Sequence, residues 1–211
     1  MPKSIRRPNP PRRRRRPPSP LVAVLAAAGL CLLLLAGALW LLGRHGETEQ
    51  AAIGGPFQLV DGTGKPVTDR DLRGQYLLIY FGYTYCPDVC PTTLQEVSSA
   101  LDTLGSRADA VRPVFITVDP GRDTPPVIGT YVAAFSPRLI GLTGSADQIG
   151  AIEREYRVYS AVHRTGPGKD DYSMDHSSVL YLMAPDGHFI APLPADEKGP
   201  ALAADLARHL S

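Results

Sequence analysis

The sequence predicts an α/β domain, and three observations point that way. Strand-like apolar runs alternate with helical stretches from Pro56 onward. Two of those runs, Tyr76–Phe81 and Val111–Val118, are apolar on both faces, as the central strands of a covered sheet are. The chain then closes with a hairpin signal, Pro185-Asp186-Gly187, and a last helix.

Three segments precede the domain, which spans 56–211. Residues 1–20 carry Lys3, Arg6, Arg7 and Arg12–Arg16 and no acid. Setting those eight charges apart turns the overall +1 into −7 for the rest of the chain. A basic, proline-rich tail suits a disordered solvated segment, and nucleic acid is its competing partner. The next segment accounts for the charge better, so no nucleic-acid partner is expected. Residues 21–43 hold no charged side chain. As a helix they would cover roughly 34 Å, enough for a bilayer core of about 30 Å. With the tail before this run and only Arg44 and His45 directly after it, the N-terminus is expected on the cytoplasmic side of a bacterial inner membrane. The acidic domain then lies in the periplasm, beyond a linker of residues 44–55. A cleaved signal peptide is the alternative, with Ala36 and Ala38 as an A-x-A-like site, but the apolar run is longer than such segments usually are. Cys31 lies inside this run and is expected to be a small apolar filler.

Within the domain, Pro56–Val60 and Pro66–Thr68 read as strands around the Gly-rich turn Asp61–Lys65. Tyr76–Phe81 is the buried strand. Pro91 suits a first helical turn, and Leu94, Val97, Leu101 and Leu104 form the apolar stripe of a helix ending at Leu104. Val111–Val118 is a parallel neighbour of Tyr76–Phe81, followed by the loop Asp119–Pro125. Helix Pro126–Phe135 and strand Leu139–Leu142 come next. Ser145 and Gln148 form a capping box for a helix to Tyr156. Val158–His163 reads as a strand, Gly166–Asp171 as a turn, Ser178–Met183 and Phe189–Pro192 as the closing hairpin, and Asp196–His209 as a helix.

Ligands gather at the carboxyl ends of strands in such sheets. Cys86, Cys90 and Asp119 all fall there. Two thiols at i and i+4 beside a helix start can hold a soft metal ion or cycle between dithiol and disulfide. A helix N-terminus is expected to favour the thiolate. A disulfide closing so short a loop would be a poor structural staple. Two sulfurs leave a metal's coordination sphere incomplete, which asks for a third ligand. Of His45, His163, His176, His188 and His209, only His176 sits in a loop that a strand, Val179–Met183, can fold against the cysteines. Met174 offers a thioether nearby, although a methionine beside a strand more commonly packs.

The run Phe81-Gly82-Tyr83-Thr84-Tyr85-Cys86-Pro87-Asp88-Val89-Cys90-Pro91-Thr92-Thr93-Leu94 resembles the signature of the Sco/SenC family. So do Thr117-Val118-Asp119-Pro120 with Arg122-Asp123-Thr124-Pro125, and Asp175-His176-Ser177-Ser178 with Tyr181-Leu182. The resemblance implies a thioredoxin-like fold, a central mixed sheet flanked by helices and preceded by one transmembrane helix. It implies copper, as Cu(I) with Cu(II) also accommodated, held by Cys86, Cys90 and His176, with Asp119 and Asp123 in a supporting loop. Turn formation and helix capping are equally good reasons for those two acids. The implied task is a metallochaperone's, in assembly of the binuclear copper centre of cytochrome c oxidase. Its partners would be the oxidase subunit carrying that centre, other copper chaperones and thiol-disulfide proteins. The alternative is a thiol:disulfide oxidoreductase cycling a Cys86–Cys90 disulfide. Against it stand the C-x-x-x-C spacing where thioredoxin-type centres use C-x-x-C, and the lack of a proline in Met174–Ser177. Two positions depart from the family pattern: Tyr85 where many members have His, and Gly121 where an acid is common.

Overall fold

The structure, a computed structural model, describes residues 20–44 and 53–210. The chain divides into two units, residues 1–50 and 51–211, each described by itself. In the first, helix α1 spans Pro20–Arg44. Its side chains are described only in part, and among the described residues no helix is long and apolar enough to cross a membrane. The basic tail and most of the linker, with His45, lie outside the described residues.

In the second unit a seven-stranded mixed sheet has the order β2-β1-β5-β4-β3-β8-β9. Its strands are β1 (Gln58–Asp61), β2 (Pro66–Thr68), β3 (Tyr76–Gly82), β4 (Val111–Thr117), β5 (Ile140–Thr143), β8 (Val179–Met183) and β9 (Phe189–Pro194). β3, β4 and β5 are parallel, and the flanking pairs are antiparallel. The expected adjacency of β3 and β4 holds, with Tyr80 opposite Phe115 and Gly82 opposite Thr117. From Leu77 on, β3 is buried throughout, as its two-sided apolar character requires.

Helices α2 (Val89–Leu104), α3 (Pro125–Ala133), α4 (Ala146–Tyr156) and α5 (Gly199–His209) cover the sheet. Neighbouring residues of a strand face opposite sides, so the aromatic contacts of β3 identify the two layers. Tyr80 meets Phe115, which meets Tyr131 of α3. Phe81 meets Tyr156 of α4 and Tyr181 of β8. α2 therefore shares the Tyr80 face, because the Tyr80 hydroxyl reaches Cys90 of α2, and α5 packs on α2. The Ser145–Gln148 capping box is formed as expected.

Two expectations need correction. The domain contains a second sheet, the hairpin β6 (Ser160–Arg164) and β7 (Tyr172–His176). His176 therefore lies not in a loop but at the end of a strand, paired with Ser160. Tyr172, Met174 and His176 recur at the strand period of two, but intervening Ser173 and Asp175 are poor strand formers and hide it. The last helix also begins at Gly199 rather than Asp196, behind the strand extension that carries β9 to Pro194.

Candidate metal centre

The site lies on the Tyr80 face, at the carboxyl ends of β3 and β4. Three constraints shape the cysteine loop. The carbonyl of Gly82 accepts from Val118 N–H at 2.8 Å, extending the β3–β4 pairing past both strands. Asp123 then anchors Thr84: Oδ2 accepts from its N–H at 3.0 Å and Oδ1 from its hydroxyl at 2.6 Å. A third bond from the Thr117 hydroxyl, 2.6 Å, completes the carboxylate's partners. Asp123 is wholly buried, and burial raises its carboxyl above the ordinary range despite these three donors. Finally, a turn closes through Cys86 N–H to the Tyr83 carbonyl at 3.3 Å.

Glycine at position 82 has a steric reason. A Cβ there would stand 2.9 Å from the Cys90 sulfur and 2.8 Å from the Phe115 ring. Only a residue without a side chain lets the sulfur lie directly against the end of β3.

Cys90 is the second residue of α2 and is fully buried. Its N–H donates to Cys86 Sγ at 3.3 Å, and its own sulfur lies 3.8 Å from the Tyr80 hydroxyl and 3.4 Å from His176 Nε2. The ligand atoms of Cys86, Cys90 and His176 all lie within 4.8 Å of one another. Both cysteines are free thiols here, so the structure does not contain the Cys86–Cys90 disulfide.

Electrostatics correct a further expectation. The helix N-terminus does not favour a thiolate at Cys90: burial pushes this thiol up to about 12. Removing the sulfur from water penalises the anion, and that penalty is the largest influence on the Cys90 thiol. His176 shows the matching effect, since burial lowers its pKa and keeps the imidazole neutral at neutral pH. The ring's tautomer follows from its other contact. Nδ1 lies 3.1 Å from the Ser177 carbonyl, which can only accept. Nδ1 therefore carries the proton, and the lone pair of Nε2 faces the sulfurs. A neutral imidazole, a half-exposed sulfur and a buried sulfur fit a soft or borderline ion of low coordination number. The Cys90 proton must leave for that sulfur to bind.

Cys86 and His176 line a shallow open depression of about 390 Å³ with Tyr83, Pro87, Val89 and Met174, and Cys90 lies buried behind them. Met174 is partly buried against the core, in line with a packing role. The other described histidines stand elsewhere. His188 pairs with Asp186 in its turn, His163 is exposed on β6, and His209 ends α5.

Asp119 and Asp123 divide the loop's work. Asp123 holds the cysteine loop as described above. Asp119, nearly buried, accepts from the Tyr172 hydroxyl at 2.9 Å and pairs with Arg122 at 2.5 Å. Arg122 and Tyr172 are the residues that sequence reasoning left without a role. No spacing rule joins position 122 to position 172, and only the hairpin's return over the Asp119 loop brings them together.

Known proteins resemble this chain in sequence and fold. Residues 45–211 match the family model described as SCO1/SenC. The mouse protein named "Protein SCO1 homolog, mitochondrial" is 42% identical over 171 residues, 79% of this chain and 59% of its own length. "Protein SenC" of Rhodobacter capsulatus is 46% identical over 143 residues, 68% of this chain and 64% of its own length. The aligned part of the chain thus spans less than two thirds of these curated relatives. Among solved structures, Bradyrhizobium japonicum ScoI with copper bound superposes with TM-score 0.68 at 49% identity, covering 75% of this chain and all of that one. Yeast Sco1 with copper bound gives TM-score 0.69 at 37% identity, covering 75% of this chain and 88% of that one. The mixed sheet and its helices are the thioredoxin-like α/β fold of these structures. With the family model matched from residue 45 to the last residue, this chain belongs to the SCO1/SenC family.

Proposed function

We propose that this protein is a membrane-anchored copper chaperone that holds the metal through Cys86, Cys90 and His176. The carrying observation is the convergence of those three donors within 4.8 Å, with Cys86 and His176 open to a surface depression. Two sulfurs and an imidazole suit Cu(I), and Cu(II) is accommodated by the same set. The copper-bound ScoI and Sco1 structures, with which this domain superposes, support copper as the ion. Asp119 and Asp123 support the ligands without touching the metal. Copper is the cargo, handed on by exchange with the cysteines and histidines of an acceptor. That acceptor is the cytochrome c oxidase subunit carrying the binuclear copper centre, with other copper chaperones or thiol-disulfide proteins as further partners. In this reading the uncharged run of residues 21–43 anchors the protein in a bacterial inner membrane. The basic tail stays cytoplasmic and the domain is periplasmic.

One observation favours a second activity, thiol:disulfide exchange. The Cys90 N–H donates to Cys86 Sγ at 3.3 Å, so the partly exposed sulfur sits beside its buried partner, as exchange through a mixed disulfide needs. Both activities use both cysteines, but only copper needs His176. The test is anaerobic Cu(I) titration of the reduced full-length protein in detergent against a competing chelator, beside His176→Ala. One-to-one binding should weaken by more than roughly 100-fold in the variant, beyond what loss of an outer partner does, while reduction of a model disulfide persists. Copper affinity indifferent to His176 would end the three-ligand proposal and leave the oxidoreductase standing.

A further inference from the structure

The hairpin β6–β7 brings His176 to the site, yet it belongs to a separate two-stranded sheet. Side-chain contacts help to hold it in place: the His176 ring meets the Tyr80 and Tyr83 rings edge-on, and a second set of contacts converges on Arg122. The Arg122 guanidinium lies 3.6 Å from the centroid of the Tyr172 ring, 4.7 Å from that of Tyr85 and 5.8 Å from that of Tyr83. Its Nη1 donates to the Tyr172 carbonyl at 2.9 Å and its Nε to Asp119 at 2.5 Å. Asp119 in turn accepts from the Tyr172 hydroxyl. The Arg122 side chain is only 11% exposed, so water does little to weaken these contacts.

Tyr172 and His176 lie four residues apart on β7 and share one face of it. Tyr83 and Tyr85 belong to the loop that ends in Cys86. Arg122 thus grips the histidine-bearing strand and the cysteine-bearing loop with one planar group, from a third segment fixed at the end of β4. We propose that Arg122 is the positioning residue that sets His176 against the cysteine pair. It does so as a clamp, and it touches none of the three donors.

The proposal rests on the three-donor copper site, so its test pairs a copper measurement with one that needs no metal. In the metal-free protein, hydrogen exchange of the Tyr172–His176 amides should quicken in Arg122→Ala while β3 amides keep their protection. Unchanged exchange in β7 would overturn the clamp whatever copper does. In the copper titration, Arg122→Ala should weaken binding roughly 10- to 100-fold, the range of outer partners that orient ligands. The same substitution in a His176→Ala background should have no further effect, because the pathway through His176 is already lost. An equal effect in both backgrounds would show general damage and overturn the proposal. Should Arg122→Ala fail to fold, Arg122→Lys and Tyr172→Phe serve. Lysine keeps the charge but loses the planar stack and the fork, and phenylalanine keeps the ring but loses the bond to Asp119. Both should fall between wild type and His176→Ala, and wild-type affinity and exchange in both would refute the clamp.

Discussion

The two parts of the molecule that meet at the candidate metal centre are built on different physics. Cys90 belongs to the core: it is fully buried, held by α2 and pressed on the end of β3 at Gly82. His176 belongs to a peripheral hairpin that starts just after Tyr159, itself 63% exposed, and in which Val162 is 56% exposed. Main-chain ladders fix the first part, and a few rings, one guanidinium and one carboxylate fix the second. One candidate donor is thus placed by folding itself, and another by contacts that can be loosened while the fold stays intact.

Substitutions should expose that difference, most strongly in the core. Phe81 is fully buried between Tyr156 and Tyr181. Phe81→Ala should cost about 3–5 kcal/mol in urea unfolding. A loss below about 1 kcal/mol would mean that the sheet is not the rigid partner.

Asp123→Ala should cost about 2–3 kcal/mol, because it strands the Thr84 N–H and two hydroxyls. Asp123→Asn adds a pH signature. With its folded pKa raised, the carboxyl binds its proton more tightly in the folded state than in the unfolded chain. Its contribution to stability is full below the ordinary value of 3.8 and is lost as pH rises through the raised folded value. The variant's urea midpoint relative to wild type should therefore climb with pH through that window and then level off. A flat difference would contradict the burial argument.

Native-state hydrogen exchange of the wild type should find Ile79 and Phe115 opening only with the whole domain. Val162 and Arg164 should exchange at least roughly 100-fold faster, as a satellite hairpin opens locally. Equal protection would unite the two regions. The smallest effect is expected at Val162→Ala on the hairpin's outer surface, within about 0.5 kcal/mol of wild type, with copper affinity unchanged.

This division also governs what the sequence made readable. β3 and β4 announce themselves because strands buried on both faces need unbroken apolar runs. The Ser145 cap is visible because it is local. The two cysteines are visible because their spacing alone carries chemistry. β7 is hidden because a peripheral strand needs no apolar face: Ser173 and Asp175 alternate with Tyr172, Met174 and His176. The raised Cys90 thiol is hidden for another reason. A helix start and a buried pocket pull a sulfur in opposite directions, and only the packing of Gly82 and Tyr80 decides which one wins.

The unequal exposure of the two sulfurs gives the centre a front door and a back wall. Cys86 is half-exposed beside the depression, whereas Cys90 has no accessible surface. A bulky thiol reagent, a mixed-disulfide partner or the cysteine of an acceptor meets the same sulfur first. On the proposed chaperone reading, exchange at this site would follow a fixed sequence, in which Cys86 changes partners early and Cys90 lets go last.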